Sequence, residues 1–257
     1  MASSSVPVHS PLGNRLLAML SPETYSCLDP HLEIVDLPLG TVLYEPGASL
    51  GYGYFPIRCI FSILNVLESG ACAETAMVGN EGMLGVALFM GGGASPDRAV
   101  VYSKGQAFRL ASPLIKQEFS HNVECRTLML RYTQSLIMQT AQTAVCNRHH
   151  TIDQQLCRRL LLTMDRTGSN ELNLTQELIA HSIGVRREGI TEAAKRLQNF
   201  GVIDYERGRI VISDRSKLES LCCECYEAVR EESNRLFSNA NSRLRARNIW
   251  GRAEHAS

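Results

Sequence analysis

Between Leu174 and Ile203 the chain reads LTQELIAHSIGVRREGITEAAKRLQNFGVI, and six polar side chains there could do chemistry together. Arg186, Arg187, Glu188, Thr191, Glu192 and Lys195 fall on one side of a helical repeat, and Ile190, Ala193, Ala194 and Leu197 fall on the other. The apolar set must face inward. The outward set is the chemistry of a DNA-reading helix.

Such a helix needs a partner to hold it. Thr175 can cap a preceding helix with its hydroxyl, and Glu177 adds a negative charge to that helix's positive first turn. Ile179 and Ile183 give it an apolar stripe, Ala180 allows close crossing, and Gly184 accepts the positive φ of a tight turn. An ordinary helical hairpin would share this spacing. What separates the two is the following segment: Gly201 ends the second helix, and Val202 to Ile212 reads as strand, tight turn, strand. That is a wing, with Arg207 and Arg209 flanking its turn where they could meet phosphates.

From about Asp29 to Tyr226 the chain resembles the Crp/Fnr superfamily of bacterial transcription factors, most specifically over Thr175 to Ile203. Gly184-Val185-Arg186-Arg187-Glu188 is similar to the family's turn and the start of its recognition helix. The resemblance implies that Arg187 reads guanine and Glu188 accepts from cytosine, which agrees with the donors and acceptors on those base edges. Where relatives that read the cyclic-AMP receptor's site carry a second arginine, this chain has Glu192, which implies a different half-site.

The N-terminal half predicts short strands at 33–37, 41–44, 60–64, 74–78, 99–102 and 106–110, broken by Gly40, Pro46-Gly47, Glu68-Ser69-Gly70 and Gly105. Their spacing suits a small antiparallel roll, so the expected class is α+β: a roll, a long helix and a winged helix-turn-helix. The resemblance implies a cyclic-nucleotide-binding-like roll, with Gly82, Met83, Arg98 and Ala99 at the positions that hold ligand in relatives. Arg98 could pair with a cyclic phosphate or be salt-bridged within the roll. Met83 stands where relatives place a glutamate for the ribose hydroxyl. Losing a charge-assisted bond of about 1.5–3 kcal/mol removes one to two powers of ten in affinity, so cyclic-AMP control is not expected. A cyclic dinucleotide or another metabolite in the roll is the alternative effector. The Gly91-Gly92-Gly93 loop reads as a flexible hairpin sooner than a phosphate cradle.

A long helix is expected from about Asn122 to His149. Val123, Leu130, Ile137 and Ala144 recur every seven residues, with Thr127, Gln134 and Ala141 between them, while Leu128, Tyr132 and Leu136 form a second stripe that can cover the roll. Two apolar faces suggest a homodimer, which would read a palindromic site twice, one helical turn apart. His149-His150 resembles a metal pair, but adjacent helical residues point about 100° apart and chelate poorly, so a cap or hinge is expected. A further helix runs from Ile152 to Met164 with Leu156, Leu160 and Leu161 inward. The expected domains are the roll at 12–111, the dimerisation helix and hinge at 112–150, the winged helix-turn-helix at 151–233 and a basic extension at 234–257.

Composition sets the remaining bounds. The 257 residues carry 26 basic and 26 acidic side chains and 44% hydrophobic residues, enough for a sizeable core and too neutral for a nonspecific nucleic-acid coat. Position 150 divides them into 9 basic and 11 acidic, then 17 basic and 15 acidic. With no apolar run of about 18 residues and no signal-like segment in MASSSVPVHSP, a cytoplasmic protein without membrane association is expected. Nine cysteines, an odd number scattered among core-like sequence, do not suit a secreted disulfide framework. Cys222-Cys223-Glu224-Cys225 invites a metal or iron-sulfur reading, and the Fnr branch does hold a cluster with cysteines, but near its N-terminus, where this chain has only Cys27. On one continuous helix Leu218, Leu221, Cys222, Cys225 and Val229 would share a face, so buried small hydrophobes are expected and neither a metal nor a cofactor is assigned. A cupin-like enzyme would need several convergent histidines, and the roll offers only His31, so no catalytic residue is assigned. From Asn234 onward Arg235, Arg243, Arg245, Arg247 and Arg252 surround Trp250, as an added DNA arm or, the favoured reading, a mostly solvated extension. The expected partners are double-stranded DNA, a second copy of the chain, an unknown effector, and RNA polymerase if transcription is activated.

Overall fold

The computed structural model describes residues 13–92 and 94–250, with side chains as far as Phe237. The readings of MASSSVPVHSP, of Gly93, and of the side chains of Arg243, Arg245, Arg247, Trp250 and Arg252 lie outside the described residues. After a short helix α1 (Pro22–Leu28), seven strands build the roll: β1 (Glu33–Leu37), β2 (Val42–Tyr44), β3 (Tyr52–Pro56), β4 (Ile60–Val66), β5 (Cys72–Val78), β6 (Arg98–Ser103) and β7 (Gly105–Ala111). They pair antiparallel in two sheets, β2-β6-β4-β5 and β1-β7-β3. Six of the seven lie within two residues of the expected runs. The seventh, β3, is absent from those runs, although it completes the β7 ladder from Tyr52 to Pro56.

Alternation along the strands gives the roll two apolar faces. Phe61, Ile63, Ala76, Val78, Ala99 and Val101 point into the roll's own core, whereas Ile60, Met77 and Tyr102 leave its outer face and enter a second core. Helix α2 (Ser112–His121) leads to α3 (Val123–His149), which starts where the Asn122 side chain accepts from the Glu124 and Cys125 amides at 3.0 and 3.2 Å. Leu128, Tyr132 and Leu136 bury against the roll as expected, joined by Met129. The opposite face is bare: Val123, Leu130 and Ile137 are 64, 46 and 56% exposed, and Ala144 is exposed beside them.

Helix α4 (Ile152–Thr167) opens with a reciprocal cap between Thr151 and Gln154. Its Leu156, Leu160 and Leu161 join Ile60, Met77 and Tyr102 in the second core. The rest of that core comes from strand β8 (Glu171–Asn173), helices α5 (Gln176–Ile183) and α6 (Arg187–Asn199), strands β9 (Ile203–Glu206) and β10 (Arg209–Ile212), and helices α7 (Arg215–Ser220) and α8 (Cys225–Trp250).

Two expectations about the C-terminal segment are corrected. The chain does not run as one helix through Leu218 to Val229: the Cys222 amide bonds to Glu219 and the Tyr226 amide to Cys223, both across three residues, and these tight turns redirect the chain between α7 and α8. Leu218, Tyr226 and Val229 still reach the second core, but Cys223 and Cys225 are buried elsewhere and Cys222 is only partly covered. Nor is the segment after Asn234 solvated from its start. Leu236 and Phe237 bury in the roll's core, and the Arg15 guanidinium lies 3.8 Å over the Phe237 ring.

Candidate nucleic-acid interface

The Thr175 hydroxyl accepts from the Leu178 amide at 3.1 Å and starts α5. Gly184, at φ +79°, ends it, in the left-handed region where a Cβ is strained, and its Cα faces the Ala73 side chain of β5. After this turn α6 buries Ile190, Ala193, Ala194 and Leu197 to within 3% of full burial. Its other side presents Arg186, Arg187, Glu188, Thr191, Glu192 and Lys195 to solvent.

These six do not play equal parts. The Thr191 hydroxyl donates to Gln176 Oε1 at 2.7 Å, tying the two helices of the motif together. Glu192 lies 3.8 Å from Arg196, whose guanidinium also holds Asp153 of α4 at 2.6 and 2.8 Å. Arg187 and Glu188 open the helix, where side chains of a recognition helix reach base edges.

The wing is the β9–β10 hairpin. Arg207 and Gly208, at φ +49° and +82°, make its two-residue turn, and both positive angles match the twist such hairpins need. The Arg207 side chain is 92% exposed. Arg209 points differently: β8 adds a third strand to the sheet, in the order β8-β10-β9, and its Glu171 carboxylate accepts both arms of the Arg209 guanidinium at 2.6 and 2.7 Å. Sequence pattern offers no sign of this partner, because β8 is only three residues long. A depression of about 460 Å³ separates motif from wing, lined by Thr175, Gln176, Glu177, Arg187, Tyr205, Arg207 and Gly208. A phosphate backbone could lie there, beside the positive end of α5.

The expected ligand residues of the roll do not converge. Met83, fully buried, lines a cavity of about 170 Å³ together with Tyr44, Asn65, Thr75, Asp97 and Thr140. Arg98 lies on β6 outside that lining, and its partly exposed guanidinium donates through Nε to Glu45 at 2.7 Å at the surface of the roll. Ala99 is fully buried in the roll's core, and a Cβ on Gly82 would overlap the Tyr132 ring. No lysine or arginine lines the cavity among the described residues. Its one carboxyl group, Asp97, is pushed up by burial, against a hydrogen bond from Ser95.

Residues 154–221 match the Crp-like helix-turn-helix domain family. Solved structures resemble about three quarters of the chain. FixK2 from Bradyrhizobium japonicum is 14% identical with a TM-score of 0.61, covering 75% of this chain and 98% of that one. CLP, a c-di-GMP responsive global regulator of Xanthomonas campestris, is 15% identical with a TM-score of 0.59, over 76% of this chain and 100% of that one. A CRP-family transcriptional regulator from Thermus thermophilus is 16% identical with a TM-score of 0.62, over 73% and 95%. No curated protein matches the chain by sequence. The chain has the fold of the Crp/Fnr transcription regulators, a cyclic-nucleotide-binding-like roll joined to a Crp-like helix-turn-helix. Among the described residues no helix is long and apolar enough to cross a membrane.

Proposed function

We propose that the chain is a cytoplasmic, homodimeric transcription regulator that reads a palindromic double-stranded DNA site and does so without cyclic AMP. One observation carries the reading: Arg187 and Glu188 stand exposed at the start of α6, across a groove from the exposed Arg207 of the wing. The first two suit base edges in a major groove and the third suits the flanking phosphates. The bare Val123–Leu130–Ile137–Ala144 seam of α3 supports pairing with a second copy, because three large apolar side chains in a row lose contact with water only against a partner. Two recognition helices would then meet half-sites about 10 bp apart. Selection of binding sites from a random duplex library tests the whole reading: a two-fold symmetric motif supports it, and recovery of no motif refutes it.

The ligand-gated alternative has a narrower basis. A cavity of about 170 Å³ with hydroxyls, an amide and Asp97 but no lining cation is better matched to a neutral or cationic metabolite than to a nucleotide phosphate. A thermal-shift screen of neutral, cationic and nucleotide ligands separates these cases. If the regulator activates, RNA polymerase is its further partner; the fold carries no catalytic assignment.

A further inference from the structure

Three cysteines and one histidine, far apart in sequence, meet at one point. Cys146 lies in the last turn of α3, His150 caps that helix four residues later, and Cys223 and Cys225 lie at the redirected link into α8. Their ligating atoms all fall within 4.8 Å of one another. Cys146 Sγ is 3.6 Å from Cys223 Sγ, and Cys225 Sγ is 3.4 Å from His150 Nδ1. A tetrahedral zinc ion with bonds of about 2.3 Å to sulfur and 2.0 Å to nitrogen has ligand-to-ligand edges of about 3.8 and 3.5 Å.

We propose that Cys146, His150, Cys223 and Cys225 form a structural site for one zinc ion. Four protein ligands of the Cys₃His type close the coordination sphere, as structural zinc sites require. A multi-iron cluster would hold its cysteines wider apart than one ion does. The outer contacts fit as well. His150 Nε2 is 3.3 Å from the Glu224 carboxylate, which would fix the ring and leave Nδ1 free to ligate, and Gln142 Nε2 donates to Cys225 Sγ at 3.0 Å. Simple apolar packing does not account for the cluster: Cys59, Cys125 and Cys157 are absorbed into the two main cores, whereas these three thiols form a separate group, with Cys222 the one hydrophobic side chain packed against them among the described residues and an imidazole among them.

The site has a position as well as a composition. Residues 151–222, which hold α4 through α7, leave α3 at His150 and return at Cys223. Zinc would therefore fasten both ends of the helix-turn-helix segment to the last turn of α3.

Elemental analysis of the full-length protein, purified under reducing conditions, should find about one zinc per chain. Wild-type protein stripped by chelator and titrated with Co²⁺ should show the visible bands of tetrahedral cobalt and a thiolate-to-cobalt charge-transfer band. Cys223→Ser and His150→Ala should lose the metal, while Cys222→Ser and His149→Ala keep it. Glu224→Ala should retain the site but weaken its affinity about 10- to 100-fold. The proposal is overturned by wild-type protein that neither carries zinc nor develops the cobalt bands, by zinc content that Cys223→Ser leaves unchanged, by iron with acid-labile sulfide, or by a Cys146–Cys223 disulfide in the reduced preparation. None of these readouts depends on whether the chain binds DNA.

Discussion

Arg159 of α4 and Glu74 of β5 form an ion pair at 2.5 Å, with side chains only 8 and 3% exposed. Ser62 donates to the same carboxylate at 2.5 Å, and the guanidinium lies 5.3 Å over the Tyr102 ring. One charge belongs to the roll and the other to the first helix of the helix-turn-helix half, so the pair joins them through a medium that tolerates no lone charge. Glu74→Gln or Arg159→Met should each destabilise the protein by about 3–5 kcal/mol, whereas Glu74→Leu with Arg159→Leu should recover most of that loss. Urea unfolding followed by circular dichroism measures all three.

Charged residues on the exposed seam of α3 should act on assembly and leave the fold intact. Leu130→Asp with Ile137→Asp places like charges across any two-fold contact of that seam, and both side chains are already half exposed in one chain. Sedimentation should show a shift from dimer to monomer, with weaker DNA binding. An unchanged dimer would move the interface elsewhere.

Arg187 and Arg207 should fail in different ways. Arg187→Ala should cost about 1–3 kcal/mol at the selected site and relax the guanine preference at one symmetric pair of positions. Arg207→Ala should weaken all sequences alike and lower the salt slope by about one unit, since a phosphate contact releases a counterion without reading a base. Site selection and salt titration on both variants give the comparison; an unchanged sequence motif for Arg187→Ala removes it from the base readers.

Cyclic AMP should give no micromolar heat in calorimetry and no change in DNA affinity. The roll's cavity offers Met83 in place of a ribose acceptor, and Arg98 is engaged by Glu45 outside it. A clear titration would require both side chains to be repositioned.

Much of the architecture is legible because local pattern and tertiary burial agree. The Ile190–Ala193–Ala194–Leu197 repeat, Gly184 and the Thr175 cap each have a local physical signature, and all three serve the expected elements. β3 escapes a local reading because Gly53 and Pro56 look like turn residues, although its strand lies at a sheet edge that tolerates both. Arg98 is ambiguous in the sequence since its ion-pair partner Glu45 lies 53 residues away. The cysteine cluster is harder still. Cys146 and His150 share a helix face at i, i+4, a signal present in the sequence, but Cys223 comes from 77 residues downstream of Cys146 and meets it only after the chain folds.

Ile60, Met77 and Tyr102 project from the roll into the same core as Ile183 and Ile190 of the helix-turn-helix. A sensor and a reading head joined by a hinge alone could swivel at little cost. Here the joint is buried and interlocked, with the Arg159–Glu74 ion pair beside the shared apolar side chains, so reorienting the head means exposing aromatic and aliphatic surface that both parts now share. Any signal that moves it must outweigh that exposure. Heating should accordingly melt the two halves in a single cooperative step, with no stage at which one stands folded and the other does not.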